Sequence, residues 1–196
     1  MNAGTESDAV AVAVLQEMGR LSPTPAAVHV SDDAVVVDVS SPADDDTVVV
    51  AAVEDDGNPG RIIRYAAAQA HKRSVPLRVV HVWTDRATSG AGVRVCRHDR
   101  MSDADRLLSA ILYDHLPAES ADGVEREILH DRDPVTALIA LSAGASLIVV
   151  AARSGQTKSG EALGDTARGL VGHTACPLAL LPVSGDREEP VSPCTW

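Results

Sequence analysis

Aromatic residues are nearly missing from this chain of 196 residues, which has two tryptophans, two tyrosines and no phenylalanine. Proteins that bind single-stranded nucleic acid stack the bases on aromatic side chains, so this class of function is disfavoured. Apolar residues nevertheless make up 45% of the chain, and its length is sufficient to bury a sizeable core. The sequence therefore predicts a globular protein whose core is aliphatic.

Signals for export and for membrane insertion are also missing. Residues 1–8 contain two acidic residues and no basic one, unlike the start of a signal peptide. The longest apolar stretch, residues 136–152, is interrupted by Ser-Ala-Gly-Ala-Ser, which predicts a turn and not a membrane span. Cys96, Cys176 and Cys194 form an odd set without disulfide-type spacing. We therefore expect a cytoplasmic protein with reduced thiols.

Basic residues are almost absent from the front of the chain. Residues 1–60 contain 12 acidic residues and one basic residue, Arg20, whereas residues 61–196 contain 16 of each. The whole net charge of −11 therefore lies in the first 60 residues. An acidic N-terminal segment on an otherwise neutral chain repels phosphate backbones and anionic lipids. We therefore expect neither nucleic acid nor a membrane as a partner.

From residue 47 onward, predicted strands alternate with predicted helices. The strands are predicted at 47–53, 77–82, 124–129, 146–151 and 178–181, and the helices at 61–73, 103–116, 134–142 and 165–173. Three of the helices follow a side chain that can cap them, Asn58, Ser102 or Asp133. Because strands joined by single helices form parallel pairs, the sequence predicts an α/β fold with a doubly wound, five-stranded parallel sheet.

The two ends of the chain do not follow this alternation. Residues 1–46 are predicted to form an acidic extension with a β-hairpin at 27–39 and a linker at 40–46. Residues 9–20 are predicted as a helix from the spacing of Val10, Val14 and Met18, although the alternation of Ala and Val also suits a strand. Residues 185–196 are predicted to form a C-terminal tail, which leaves residues 47–184 as the domain.

The predicted last strand, Leu178–Leu181, lies between Pro177 and Pro182. Proline cannot donate a hydrogen bond to a neighbouring strand, so this strand is expected at the edge of the sheet. An apolar edge strand needs a partner. Two partners remain open: the same strand of a second copy, which would form a homodimer, or the chain's own N-terminal extension.

Four segments resemble the universal stress protein family: VVVAAVEDDG, YAAAQAHKRSVPLRVVHVW, LIVVAARSG and HTACPLALLPV. The resemblance covers residues 47–184, and the last segment is the most specific. It implies a flavodoxin-like sheet with strand order 3-2-1-4-5, homodimerisation through the last strand, and action by binding and not by catalysis. It also implies ATP or AMP as the ligand of those members that bind one.

The ATP-binding members carry Gly-x2-Gly-x9-Gly-Ser/Thr after the fourth strand. The aligned residues here are Ala151, Ser154, Gly164 and Asp165, so one of the four is retained. Gly155 and Thr166 would partly replace the lost residues if the backbone shifted by one position. The resemblance also places Glu54 where the family has an aspartate and Val82 where a backbone group contacts adenine. With Arg153, these are the predicted nucleotide-binding residues.

The predicted sheet indicates the same location independently of the resemblance. In a doubly wound sheet, ligands bind at the carboxyl ends of the strands where the strand order reverses. Here these ends are Glu54 and residues 151–154.

Asp165 is the residue that makes the predicted pocket degenerate. As an N-cap, its carboxylate would fill the anion site. At about 4 Å from a phosphate it would repel by roughly 4 kcal/mol at an effective dielectric near 20, about a thousandfold in affinity. Mg²⁺ bound between Asp165 and a triphosphate, or the cations Arg153 and Lys158, would offset this repulsion.

No resident metal and no catalysis are predicted. The acidic run at 54–56 is typical of a solvated turn, and Cys96 with His98 lacks the second ligand pair of a zinc site. We therefore predict a regulatory universal-stress-type protein with a degenerate nucleotide pocket and an unidentified protein partner. The alternatives are a competent ATP or AMP binder, and a weak hydrolase or phosphotransferase with Glu54 or Asp165 as the base.

Overall fold

A computed structural model describes residues 3–21, 27–31, 33–39, 48–54, 58–83, 97–130, 133–153 and 160–182. The helices in these ranges are α1 Ala3–Arg20, α2 Pro59–Arg73, α3 Arg97–His115, α4 Ala118–Asp122, α5 Pro134–Ser142 and α6 Asp165–Leu170. The strands are β1 Val28–Val30, β2 Val35–Val37, β3 Val48–Ala52, β4 Leu77–Trp83, β5 Glu125–His130, β6 Ala145–Ala151 and β7 Leu178–Leu181. None of the described helices is both long enough and apolar enough to cross a bilayer.

These strands form one sheet in the order β1-β2-β7-β6-β3-β4-β5. The five strands from β7 to β5 run parallel to one another, which confirms the predicted α/β fold with a parallel sheet. β1 pairs with β2, and β2 with β7, in the antiparallel sense. The predicted count of five strands is wrong, because the N-terminal extension adds two strands to the same sheet.

Two apolar clusters, one on each face of the sheet, form the core. Alternate residues of a strand point to opposite faces, so Val50, Ile148 and Leu180 join the first cluster. Their neighbours Val49 and Val149 join the second. Helices α1, α5 and α6 contribute to the first cluster, and α2 and α3 to the second. Coverage on both faces explains the continuous apolar runs of β3 and β6.

Two of the three predicted helix caps are confirmed. The Asn58 side chain accepts a hydrogen bond from the Arg61 amide at 3.3 Å. Asp133 accepts one from the Val135 amide at 3.1 Å and one from the Thr136 hydroxyl at 2.7 Å. The Thr136 hydroxyl is the main cause that lowers the pKa of Asp133. The predicted cap Ser102 is wrong, because α3 already begins at Arg97 and Ser102 lies inside the helix.

Further helix predictions differ from the structure at their ends. The predicted helix at 9–20 is present and begins earlier, at Ala3. The predicted helix at 165–173 ends at Leu170, and Gly172 adopts φ 74°, a left-handed conformation typical of a helix C-terminus. The short helix α4 was not predicted. Its five residues are too few for a periodic apolar pattern.

The prediction that Leu178–Leu181 forms an edge strand is wrong. β7 has β6 on one side and β2 on the other, and each of its four residues is at most 2% exposed. Of the two partners left open, the chain's own extension occupies this side of β7. Homodimerisation through Leu178–Leu181 stays a prediction, and in this structure the required side of the strand is covered.

Cys176, two residues before β7, is expected to be chemically inert. Its side chain is buried, and burial raises the pKa of the thiol from 9.0 to about 11. At pH 8 this lowers the thiolate fraction about a hundredfold. We expect alkylation by iodoacetamide to be slower than that of a small free thiol by at least about this factor. The rate can be measured in a Cys96→Ser, Cys194→Ser background, and a rate like that of the free thiol would contradict the burial.

Candidate functional site

A crevice opens at the carboxyl ends of β3 and β6, where the strand order reverses. Seven of the predicted site residues line it: Glu54, Val82, Ala151, Arg153, Gly164, Asp165 and Thr166. The other two, Ser154 and Gly155, lie outside the described residues. The structure therefore brings together the described members of the predicted site, and their binding of a ligand stays a prediction.

The crevice is narrow, and its walls are mainly apolar. Its apolar lining includes Val53, Ile62, Leu138 and Val150. Its cavity volume is about 60 Å³. A mainly apolar crevice with a few polar lining residues suits a small organic ligand that has an apolar part and a polar substituent.

Several lining residues were missed by the sequence interpretation. Pro134 and Leu138 lie on the first turns of α5 and form one wall, and Ile62 of α2 also faces the crevice. The Asp133 cap holds the start of α5 in this position. The available signal was the Asp-Pro helix start together with an apolar residue one turn later. That signal predicts a helix, but it does not say which way the helix faces.

The base of the crevice is tied together by hydrogen bonds between β3 and β4. The Val53 amide donates to the Val80 carbonyl at 2.9 Å. The Val53 carbonyl in turn accepts from Nδ1 of His81 at 3.0 Å. Because a carbonyl can only accept, this contact places a proton on Nδ1 of His81. His81 is therefore a structural residue at the edge of the crevice.

The prediction that Asp165 caps α6 is wrong. The N-cap is Gly164, with an extended backbone at φ −76° and ψ 170°, and no side chain makes a capping hydrogen bond there. The Gly164 amide donates to the Ala152 carbonyl at 2.8 Å, which closes the loop between β6 and α6. Asp165 is the first residue within the helix, and its carboxylate does not fill the anion site.

The electrostatic effect of Asp165 is also smaller than expected. Its side chain is fully exposed, and Oδ1 lies 3.6 Å from Nη1 of Arg168. Arg168 is also 3.7 Å from Glu161 and donates to the Leu163 carbonyl at 3.2 Å. A charge in water repels another at about 4 Å by roughly 1 kcal/mol, which corresponds to about fivefold in affinity. The expected thousandfold penalty therefore does not apply to this geometry.

Helix α1 borders the loop that follows β6. A shallow depression between them is lined by Glu6, Ala9 and Val10 of α1 and by Ala152, Arg153 and Gly160 of the loop region. Val10 is 4% exposed and Val14 is fully buried in the first core cluster. The extension is thus packed against the segment that carries Arg153, next to the crevice.

Among the residues that the structure describes, no three His, Cys, Asp or Glu side chains are grouped so as to hold a metal ion. Asp55, Asp56 and Cys96, which were considered as metal ligands, lie outside those residues.

Comparison with known proteins identifies the family. Residues 46–182 match the model of the universal stress protein family. A universal stress protein from Archaeoglobus fulgidus is 22% identical, with a TM-score of 0.50 over 69% of this chain and 93% of that one. UspA from Lactobacillus plantarum is 18% identical, with a TM-score of 0.52 over 69% and 97%.

A further solved structure is that of a universal stress protein in complex with cAMP. It is 18% identical, with a TM-score of 0.50 over 70% of this chain and 98% of that chain. No curated protein matches the chain. At these identities the structural likeness shows the fold, and the family model shows the relationship. The chain belongs to the universal stress protein family.

Proposed function

We propose that the protein acts by binding and regulation in a stress response, and that it binds an adenine nucleotide weakly in the crevice between β3 and β6. The observation that carries this proposal is the mainly apolar crevice whose lining includes Glu54 at the end of β3 and the turn at Gly164 before α6. A related structure that contains cAMP supports the adenine class of ligand. The proposal includes a protein partner and no catalytic step.

Weak binding is proposed because of the loop residues. Ala151 and Ser154 stand where the ATP-binding motif has glycine. Glycine at such positions lets the backbone approach a phosphate closely, and a Cβ atom hinders this approach. Asp165 adds a modest repulsion of about 1 kcal/mol. Together these changes favour a dissociation constant for ATP that is roughly millimolar.

A competent ATP or AMP binder is the second candidate. It is favoured by the exposure of Asp165 and by its ion pair with Arg168, which leave the turn at Gly164 free of its carboxylate. Equilibrium titration of the full chain with AMP, and with ATP in the presence and absence of Mg²⁺, distinguishes the candidates. Micromolar binding of ATP would overturn the weak-binding proposal.

Asp165→Asn should tighten ATP binding by about fivefold, because it removes one exposed negative charge near the crevice at nearly unchanged shape. The matched control is Asp105→Asn, which removes an exposed carboxylate on α3, away from the crevice residues. Calorimetric titration of both variants measures the difference. An increase of a hundredfold or more for Asp165→Asn would mean that this carboxylate does occupy the phosphate position.

A further inference from the structure

We propose that the β1–β2 hairpin, residues 27–39, keeps the sheet from pairing with a second copy of this chain. In the full chain, β2 occupies the side of β7 that a second copy would otherwise use. This inference concerns assembly and is independent of the proposed nucleotide site.

The backbone groups of β7 face two different neighbours. Its odd-numbered carbonyls face β6, since the Pro177 carbonyl accepts from Ile148 and the Leu181 carbonyl accepts from Ala152. The N–H and C=O groups of Leu178 and Leu180 therefore point to the other side, because these groups alternate along a strand. Without β2, this side of β7 would present unpaired backbone groups.

The hairpin offers matching groups to that side of β7. Within it, the Ser31 amide donates to the Ala34 carbonyl at 2.9 Å, and the Asp38 amide to the Ala27 carbonyl at 2.8 Å. By the same alternation, Val36 faces β1, and Val35 and Val37 face β7. Val35 lies opposite Leu180 and Val37 opposite Leu178. The backbone N–H and C=O groups that β2 and β7 turn toward each other thus form two hydrogen-bonded residue pairs, Val35 with Leu180 and Val37 with Leu178.

Arg61 extends this pairing where proline interrupts it. Continued by two residues beyond the pair of Val35 and Leu180, the register places Asp33 opposite Pro182, and Pro182 has no N–H to donate. Arg61 donates to the Pro182 carbonyl at 2.8 Å and to the Asp33 carbonyl at 3.2 Å. Its guanidinium also lies 3.6 Å from the Asp33 carboxylate. We name this set of contacts the Arg61 bridge, and it holds the hairpin to α2 and to the end of β7.

Apolar side-chain contacts also hold the hairpin against β7. Val35 is fully buried and Val37 is 3% exposed, both in the first core cluster. The adjoining Val10 and Val14 of α1 belong to the same cluster. Release of the hairpin would therefore expose the apolar side chains of β7 together with its backbone groups.

A second copy is the occupant that fits the exposed strand. Its own β7 supplies what β2 supplies, a short apolar strand able to pair in the antiparallel sense. Pairing about a two-fold axis is self-complementary, so one contact satisfies both strands. An apolar edge left open in this way pairs readily. The full chain is consequently monomeric at this edge, and weakening of the hairpin makes it dimeric.

Sedimentation of full-length variants over a range of concentrations tests this inference. The unmodified chain should have the mass of one chain. Val35→Pro with Val37→Pro removes both N–H groups that β2 donates to β7, and its mass should double as the concentration rises. Arg61→Met, which removes the Arg61 bridge, should dimerise at concentrations at which the control Lys72→Met, an exposed change on the same helix, stays monomeric.

A disulfide provides a measurement that does not depend on a destabilised variant. Val36 and Ala179 lie directly opposite each other in a pair without hydrogen bonds, for which the Cα atoms are about 4.5 Å apart, within the range of a disulfide. Oxidised Val36→Cys, Ala179→Cys, in a Cys96→Ser, Cys194→Ser background, should run as a single chain without reductant and stay monomeric at all concentrations.

Three results would overturn the inference. The first is a disulfide that joins two chains, since the hairpin would then cover the β7 of its partner. The second is a folded double-proline variant that remains monomeric throughout. If the double-proline variant does not fold, Arg61→Met decides the question, and equal behaviour of Arg61→Met and Lys72→Met is the third.

Discussion

Val14→Asp should lower the free energy of unfolding by about 3–5 kcal/mol, the range for an uncompensated buried charge. Val14 is fully buried where α1 meets the first core cluster, and the described contacts of that cluster are apolar. The carboxylate escapes to water only if α1 leaves the sheet. We therefore expect the amides of α1 to lose protection from hydrogen exchange, and urea denaturation to show the loss in stability.

The control is the same substitution on the other face of the same helix. Val12 is 54% exposed, so Val12→Asp should change the free energy of unfolding by no more than about 0.5 kcal/mol. Equal losses of unfolding free energy for Val12→Asp and Val14→Asp would mean that α1 does not pack on the sheet through the face that carries Val14.

Leu170→Ala should lower the free energy of unfolding by about 2–5 kcal/mol, because it leaves a cavity in a closely packed region. Leu170 is fully buried at the end of α6 and belongs to the first core cluster. The same helix begins at the turn that borders the crevice. Loss of the Leu170 side chain should therefore also lower the affinity for a ligand bound at Gly164. Urea denaturation measures the first effect and nucleotide titration the second.

Leu15→Ala makes the same chemical change at a site that is 56% exposed. It should shift the free energy of unfolding by no more than about 0.5 kcal/mol. A loss at Leu15 as large as that at Leu170 would contradict the assigned burial of the two side chains.

The fold was predictable wherever a local pattern reports a local structure. Continuous apolar runs such as β6 predict strands that are covered on both faces, and the alternation with helices predicts a parallel sheet. Asn58 and Asp133 predict helix starts because a cap bonds to amides two or three residues away. The crevice was located because it depends only on the order of the strands.

The failures of prediction concern contacts between distant parts of the chain. Pro177 and Pro182 correctly indicate that β7 lacks donors at its ends. They do not reveal that Arg61, 121 residues from Pro182, donates in place of the missing N–H. Asp165 is of a residue type that commonly caps helices, but Gly164 is the N-cap of α6. The Asp165 carboxylate instead pairs with Arg168 at the surface. Neither outcome is contained in the spacing of the residues involved.

Among the strands that the structure describes, the pairing of β2 with β7 joins one of the first to be synthesised to the last. Domains begin to fold from the N-terminus while the chain leaves the ribosome, but one side of β2 has no partner strand until Leu178–Leu181 has emerged. Closing so long a loop also makes the contact slow to form. We therefore expect β2 to be paired on this side only after the parallel strands have been synthesised, and Val35 and Val37 to stay exposed to solvent until then.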